Sequence, residues 1–304
     1  MQTALTEAAL RAALTGARAS LRAPGIAPRA DGYASDDRHD PVRVGFVPTM
    51  GALHDGHLAL VRDARARSGF VVASVFVNPT QFGPHEDFGR YPRQPEKDAA
   101  LLAGAGCDLL FLPDVETIYP PGGSTFVEVG GVSEGLEGAA RPGHFRGVAT
   151  VVSALLHLVQ PDVAIFGEKD AQQLAVIRRL VRDQHFPVEI VGHPIVRESD
   201  GLAMSSRNAY LSPDDRRAAT VLFRALEAAR RAIAGGERDA ETVRALLRAE
   251  LATEPRGSVD YADVVDADSF QPLQSIRGAI VIPIAVRFGK TRLLDNLQLN
   301  LNES

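Results

Sequence analysis

"VGFVPTMGALHDGHLALVRDARAR", residues 44–67, decides the fold. An apolar run ending at Pro48 enters a turn holding Gly51 and Gly56, and beyond it Leu58 and Val61 recur at helical spacing ahead of a charged stretch. A strand that reaches a helix through a glycine-containing turn is half of a βα unit, and the same alternation recurs downstream. The runs "FVVASVFV", "CDLLFLP" and "DVAIFG" read as buried strands, while "EKDAALLAGAG", "GVATVVSALLHLV" and "AQQLAVIRRLV" carry helical periodicity. The prediction is an α/β, Rossmann-like, doubly wound parallel sheet. Ligands of such sheets sit outside the carboxyl ends of the strands, which directs attention to the loops "PTMGALHDGH", "NPTQFGPHED" and "GEKDAQQ".

Near "HPIVRESDGLAMSSRNAYLSP" the alternation stops. Helices are predicted over 213–234 and 240–251, followed by the strand-like runs "VDYADVVDA", "AIVIPIAVRF" and "RLLDNLQL". Two domains are therefore expected: residues 1–193, and a smaller α+β domain over 194–304. Upstream of Val44 lies the Pro-, Gly- and Asp-rich segment "RAPGIAPRADGYASDDRHDP". Residues 1–22 are alanine-rich, with Arg11, Arg18 and Arg22 against one acid, a faint transit-peptide composition. Leu10, Leu14 and Leu21 at helical spacing make an amphipathic first helix the better reading.

The 304 residues are 45% hydrophobic, enough for a substantial core. A net charge of -5 gives no electrostatic footprint for nucleic acid, and no apolar run reaches the roughly 20 residues of a membrane span. Cys107 is the single cysteine and cannot form an intramolecular disulfide. A cytoplasmic protein with small-molecule partners is expected.

His54 and His57 admit three chemistries. Zinc requires a third ligand, for which His39, His85 or His144 is available, but the histidines are three apart where HExxH helices space them four apart around a glutamate. They could also be ordinary surface or capping residues. Their place between a strand and a helix start favours phosphate, since unpaired backbone N–H groups and the helix dipole attract anions there. Gly51 and Gly56 would let a ligand approach the backbone closely.

"HDGH" resembles the HxGH signature of the HIGH-type nucleotidyltransferase superfamily. "VPTMGALHDGHLALV", "SVFVNPTQFG", "RPGHFRGVATVV", "FGEKDAQQL" and "RESDGLAMSSRN" together resemble the pantothenate synthetase (pantoate–β-alanine ligase) family, in family order over 44–208, with a weaker echo in "GKTRLLDNL". The proline-rich segment before Val44 departs from the family's usual short connection. The resemblance implies ATP-dependent ligation of pantoate and β-alanine through a pantoyl adenylate, with release of AMP and pyrophosphate. It implies that His57, His54, Lys169 and Arg207 are catalytic. ATP would be bound by Met50, Gly51, Ala52, Leu53, His54, Asp55, Gly56, His57, Gly167, Glu168, Lys169, Asp170, Val196, Met204, Ser205, Ser206 and Arg207, with Asp170 suited to ribose hydroxyls and Asp55 facing solvent. Gln81 and Gln173 would bind pantoate, and Gln81 also β-alanine. Pro48, Met50 and Val152 are apolar-wall candidates, and Asn78, Arg141 and His144 line the site without assigned contacts.

Read without the family, Lys169 in "GEK" would be surface decoration, and "SSRN" before "LSPDD" a linker and helix cap. Mg2+ should accompany ATP, with Asp98 of "RQPEKD" a possible source of a ligand although Lys97 beside it has the wrong charge. No tightly bound organic cofactor is expected, and the family implies a homodimer; because "GLAMSSRN" lies just beyond the boundary near Pro194, the second domain is expected to act as a lid. The competing functions are another nucleotidyltransferase, a non-catalytic ATP sensor and, third, a zinc hydrolase.

Overall fold

The alternation seen at residues 44–67 builds a six-stranded sheet. In the computed structural model, which describes residues 1–21, 40–84 and 86–302, it comprises β1 (Gln2–Ala4), β2 (Asp40–Thr49), β3 (Ser68–Val75), β4 (Leu109–Phe111), β5 (Val163–Gly167) and β6 (Glu189–His193). The strand order is β1-β4-β3-β2-β5-β6 and every pairing is parallel. From β2 the chain winds outward through β3 to β4 and then returns to the other side of β2 for β5 and β6. The winding direction reverses between β2 and β5, and their carboxyl ends flank the crevice where ligands of doubly wound sheets sit.

The connecting helices are α1 (Glu7–Leu21), α2 (Asp55–Arg67), α3 (Pro95–Gly104), two single turns α4 (Val115–Ile118) and α5 (Glu137–Ala140), α6 (His144–Val159) and α7 (Ala171–Asp183). Leu58, Val61 and Ala64 of α2 pack on Val47, Val71, Ala73, Leu110 and Ile165 of the sheet. Each fully buried Leu, Val or Ile of such a layer contributes about 1.5–3 kcal/mol relative to exposure. The edge strands β1 and β6 were not among the predicted runs: β1 is three residues long and β6 has no fully buried position, so neither gives a continuous apolar signal. Residues 22–39, which include Arg22 and His39, and His85 lie outside the described residues.

The later elements are α8 (Pro213–Ala218), α9 (Val221–Ala234), α10 (Ala240–Leu251), β7 (Gly257–Ala262), β8 (Val265–Asp266), β9 (Ala279–Phe288) and β10 (Thr291–Asn300). Their sheet is antiparallel, ordered β10-β9-β7, with β8 also paired to β9. Its inner face, with Ile280, Ile282, Ile284 and Val286 of β9, packs on Leu222, Leu226, Val243 and Leu247 of the helices. The predicted helix 213–234 is two helices, broken at Ala219–Thr220.

Packing divides the chain into two units. Unit one is Met1–Val129, Pro142–Gly167 and Ile177–His193; unit two is Gly130–Arg141, Glu168–Val176 and Pro194–Ser304. Hydrogen bonds explain why two inserts from the first part of the chain belong to unit two. The buried Gln172 amide donates to Val132 O and Gly135 O (both 2.9 Å) and accepts from Glu137 N–H (3.0 Å). Asn296 on β10 donates from Nδ2 to Glu168 O (2.8 Å) and Lys169 O (2.9 Å). Arg292 of β10 pairs with Glu137, which also accepts from the Tyr261 hydroxyl. Among the described residues no helix is long and apolar enough to cross a membrane.

Candidate active site

In unit one, the turn after β2 is a closed hydrogen-bonded unit. Gly51 N–H donates to Thr49 Oγ1 (3.2 Å), Ala52 N–H to Asp98 Oδ2 (3.0 Å) and Leu53 N–H to Asp98 Oδ1 (2.9 Å). His54 is the N-cap of α2 in extended conformation, and its Nδ1 accepts from Gly56 N–H (3.2 Å). His57, three residues on, closes a capping box by accepting from His54 N–H at Nδ1 (3.4 Å). The rings lie 4.1 Å apart between centroids. An imidazole that accepts at Nδ1 carries its neutral-state proton on Nε2, so the caps make both histidines hydrogen-bond donors at Nε2.

The backbone N–H groups of Gly51, Ala52, Leu53, His54 and Gly56 are given to protein acceptors, and the two imidazoles add donors at Nε2. Capping, weighed above as an alternative to function, is what both histidines do. Asp55 is exposed, as expected, and its first-turn charge suits the helix dipole. Gly51 (φ +83°) and Ala52 (φ 52°) are successive left-handed residues. A side chain at 51 would come within 2.9 Å of Asp98 Oδ2 and Val75 Cγ1, and the Ala52 conformation costs roughly 1–2 kcal/mol.

After β3, Asn78 caps the turn Pro79–Gln81 and is 1% exposed. Its Oδ1 accepts from Thr80 N–H (3.2 Å) and the Tyr119 hydroxyl (2.7 Å); its Nδ2 donates to Gln81 Oε1 (3.0 Å) and Gly147 O (3.1 Å). Burial raises the Tyr119 pKa, with the Thr80 and Asn78 contacts opposing. Position 147 must be glycine, because a Cβ there would collide with the Thr80 carbonyl. Gln81 turns its Nε2 to Met50 Sδ (3.0 Å), and His144 Nδ1 bonds Gln81 O (2.9 Å). The structure thus brings Met50, Asn78, Gln81 and His144 together. Pro48 is half-buried, while Val152 is buried in α6 as core packing alone would place it.

In unit two, Lys169 occupies a 3₁₀ turn, Glu168–Asp170, and α7 starts only at Ala171, two residues later than a helix opening at Lys169. Its ammonium lies 3.8 Å from Asp170 Oδ1. Gln173 is half-buried, one position from the Gln172 anchor and on a different helical phase. Gly167, the last residue of β5, precedes this turn. Val196 O accepts from Met204 N–H (2.9 Å), and an Arg197–Ala203 bridge extends this short hairpin. Ser205 Oγ caps the turn Ser206–Tyr210 through Arg207 N–H (3.2 Å), and Asn208 Nδ2 donates to Glu198 Oε1 (3.0 Å) and Ala203 O (3.1 Å). Arg197 forms a bidentate pair with the buried Asp295 (2.6 and 2.9 Å). Burial pushes the Asp295 carboxyl above its ordinary range, with Arg197 and the Lys169 charge acting against that. Arg141 lies 3.8 Å from Glu137 Oε2.

The supporting roles of two residues escaped the sequence reading. Asp98, weighed as a source of a Mg2+ ligand, is 1% exposed and commits both oxygens to the turn backbone. Asn296 braces the Lys169 turn from β10; the only signal was the weak echo "GKTRLLDNL" in which it lies. Among the described residues no group of three or more His, Cys, Asp or Glu side chains could hold a metal ion.

The family model described as pantoate-beta-alanine ligase matches residues 29–298. Pantothenate synthetase of Herpetosiphon aurantiacus is 58% identical over 261 residues, 86% of this chain and 95% of the relative; that of Moorella thermoacetica is 52% identical over 271 residues, 89% and 96%. Among solved structures, pantothenate synthetase from Thermus thermophilus superposes with a TM-score of 0.86 at 51% identity, covering 98% of this chain and 99% of that one. The Francisella tularensis pantoate-beta-alanine ligase, complexed with beta-gamma ATP and beta-alanine, gives 0.73 at 30% identity, covering 98% and 97%. With the histidine-capped turn after β2, the parallel sheet around it and relatives matched along nearly their whole length, the chain belongs to the pantoate-beta-alanine ligase family.

Proposed function

We propose that this chain condenses pantoate with β-alanine at the expense of ATP, forming pantothenate, AMP and pyrophosphate. A carboxylate cannot expel hydroxide toward an amine in water, so its oxygen first attacks the α-phosphorus. The bond to the bridging oxygen breaks and pyrophosphate leaves. The β-alanine nitrogen then attacks the acyl carbon of the adenylate, loses a proton, and AMP departs. The observation that carries this reading is the paired cap of α2: Nδ1 of His54 and His57 faces the backbone, which makes Nε2–H of each a neutral donor.

These donors serve phosphate oxygens, on which charge grows as pyrophosphate separates. Imidazole N–H groups grip the phosphates, with His57 the proton donor toward pyrophosphate. Lys169 follows charge onto the phosphates as a compact cation, and Ser205, Ser206 and Arg207 contribute hydroxyls and a guanidinium fork. Asp170 takes ribose hydroxyls. Gln81 and Gln173 orient pantoate, whose hydroxyls need groups that both donate and accept, and Gln81 also receives β-alanine. Magnesium arrives as part of the substrate, MgATP, coordinated chiefly by phosphate and water. A homodimer completes the proposal; a solution mass of two chains rather than one checks it.

Rapid mixing of enzyme with MgATP and pantoate tests the order of steps. A single turnover of pyrophosphate without β-alanine is expected, with sustained turnover only when the amine is present. Pyrophosphate that appears only with β-alanine would overturn the adenylate-first sequence.

A further inference from the structure

Asp98 is an ionisable side chain at the centre of the histidine turn that nothing in the proposed reaction uses. It lies in the first turn of α3, 1% exposed, and each carboxylate oxygen takes one backbone N–H from consecutive residues, Ala52 and Leu53. Those residues follow the left-handed Gly51, and Ala52 is itself left-handed, a conformation an alanine holds only when its surroundings enforce it. The enforcement is visible: Thr49 Oγ1 takes Gly51 N–H, Asp98 takes the next two, and the following N–H belongs to the His57 imidazole. Loss of the carboxylate would leave two N–H groups without acceptors inside a closed turn and release Ala52 toward a right-handed backbone. That rotation would turn His54 off the start of α2.

We infer that Asp98 is a positioning residue for phosphate capture: its buried carboxylate clamps the strained Gly51–Leu53 turn and thereby sets the orientation and Nε2–H tautomer of His54 and His57. The inference rests on the proposed phosphate role of those histidines. It concerns the side chain two steps behind the substrate, and it makes the placement of two acceptor oxygens at Asp98, rather than its charge alone, the property that matters. An asparagine of the same shape offers one acceptor and sets an NH2 group against the second N–H.

The test compares the parent with Asp98→Asn, His57→Ala and Asp98→Asn/Ala52→Gly. Single-turnover pyrophosphate release is measured at saturating MgATP and pantoate, and the histidine tautomers are read from 15N chemical shifts. Misorientation of a reacting group costs on the order of a hundredfold, so Asp98→Asn should slow release by about tenfold to a hundredfold. It should also lose the Nε2–H signature of His54 and His57. Glycine at 52 adopts the left-handed backbone without penalty, so the double variant should recover about threefold or more of the lost rate. A merely structural carboxylate would move neither the tautomers nor that rescue. Should Asp98→Asn not fold, Asp98→Glu replaces it: the charge is kept but both oxygens are displaced, and the same slowing and tautomer loss are expected. A rate within about threefold of the parent for the Asp98 variant, with His57→Ala slow, would overturn the clamp and leave the phosphate reading standing. Parent-like rates in both would overturn the phosphate reading and the clamp with it.

Discussion

The two turns that follow β2 and β5 are braced with opposite polarity. After β2, the buried carboxylate of Asp98 accepts from two backbone N–H groups and holds a left-handed alanine; after β5, the buried amide of Asn296 donates to two backbone carbonyls of a 3₁₀ turn. A turn held by its N–H groups presents side chains that have to act as donors themselves, here two imidazoles. The turn held by its carbonyls presents an ammonium, which needs no tautomer to be set. The brace matches the need: the charged, geometrically strict clamp stands behind the neutral donors, and the neutral clamp stands behind the cation.

The largest effect should come from the tip of the second turn. Lys169→Ala is expected to slow adenylate formation by about a hundredfold or more, on the ~2.7–4 kcal/mol scale of losing a group that stabilises transition-state charge. The urea midpoint should barely move, because the side chain is partly exposed and its removal opens no core cavity. A single-turnover rate within about threefold of the parent would take Lys169 out of the mechanism.

Asn296→Asp is the mirror of Asp98→Asn and comes next. It sets a carboxylate against Glu168 O and Lys169 O, leaving two partly buried acceptors without donors at about 1 kcal/mol each. A loss of about 2 kcal/mol in urea unfolding and a roughly tenfold slower release are expected. An unchanged rate would show that the Lys169 turn needs no brace and would end the parallel between the two turns. Gln173→Ala should raise KM for pantoate by about tenfold with kcat nearly intact, since its amide contacts the acid equally in ground and transition states. Steady-state kinetics with pantoate as the varied substrate decides it; a fall in kcat at unchanged KM would count against the assignment.

The smallest effect belongs to a cap whose partner is local. Ser212 Oγ accepts from Asp215 N–H (3.1 Å) and donates to Asp215 Oδ2 (2.7 Å), so Ser212→Ala should cost about 1 kcal/mol without altering release of pyrophosphate. The Ser212 hydroxyl, and after it Arg256, hold the Asp215 carboxyl below its ordinary value. That contribution is present above the ordinary carboxylate pKa and disappears as pH falls through the lower folded value. Acid unfolding followed by circular dichroism should therefore show a smaller loss on the acid side in Ser212→Ala than in the parent.

Much of this was legible from residues close together in the chain. Continuous apolar runs and period-3.6 patterns reveal β2, β3, β5 and the helices between them, because the strands are buried on both faces and each helix on one by their own apolar residues. The glycines and histidines of residues 51–57 mark the turn for the same reason: their conformational roles are local. The edge strands β1 and β6 were missed because one partner and partial burial leave little apolar pattern to read.

The sequence by itself determined the parallel α/β architecture, the position of the histidine turn and the family to which its motifs point. Only the tertiary structure decided that Asp98 clamps that turn from 46 residues away, that Asn296 braces Lys169 from 127 away, and that Gln172 rather than Gln173 anchors residues 132–137. Periodicity reports which face of an element is buried, but the acceptor a buried N–H or C=O finds is set by which distant side chain packing delivers within about 3 Å.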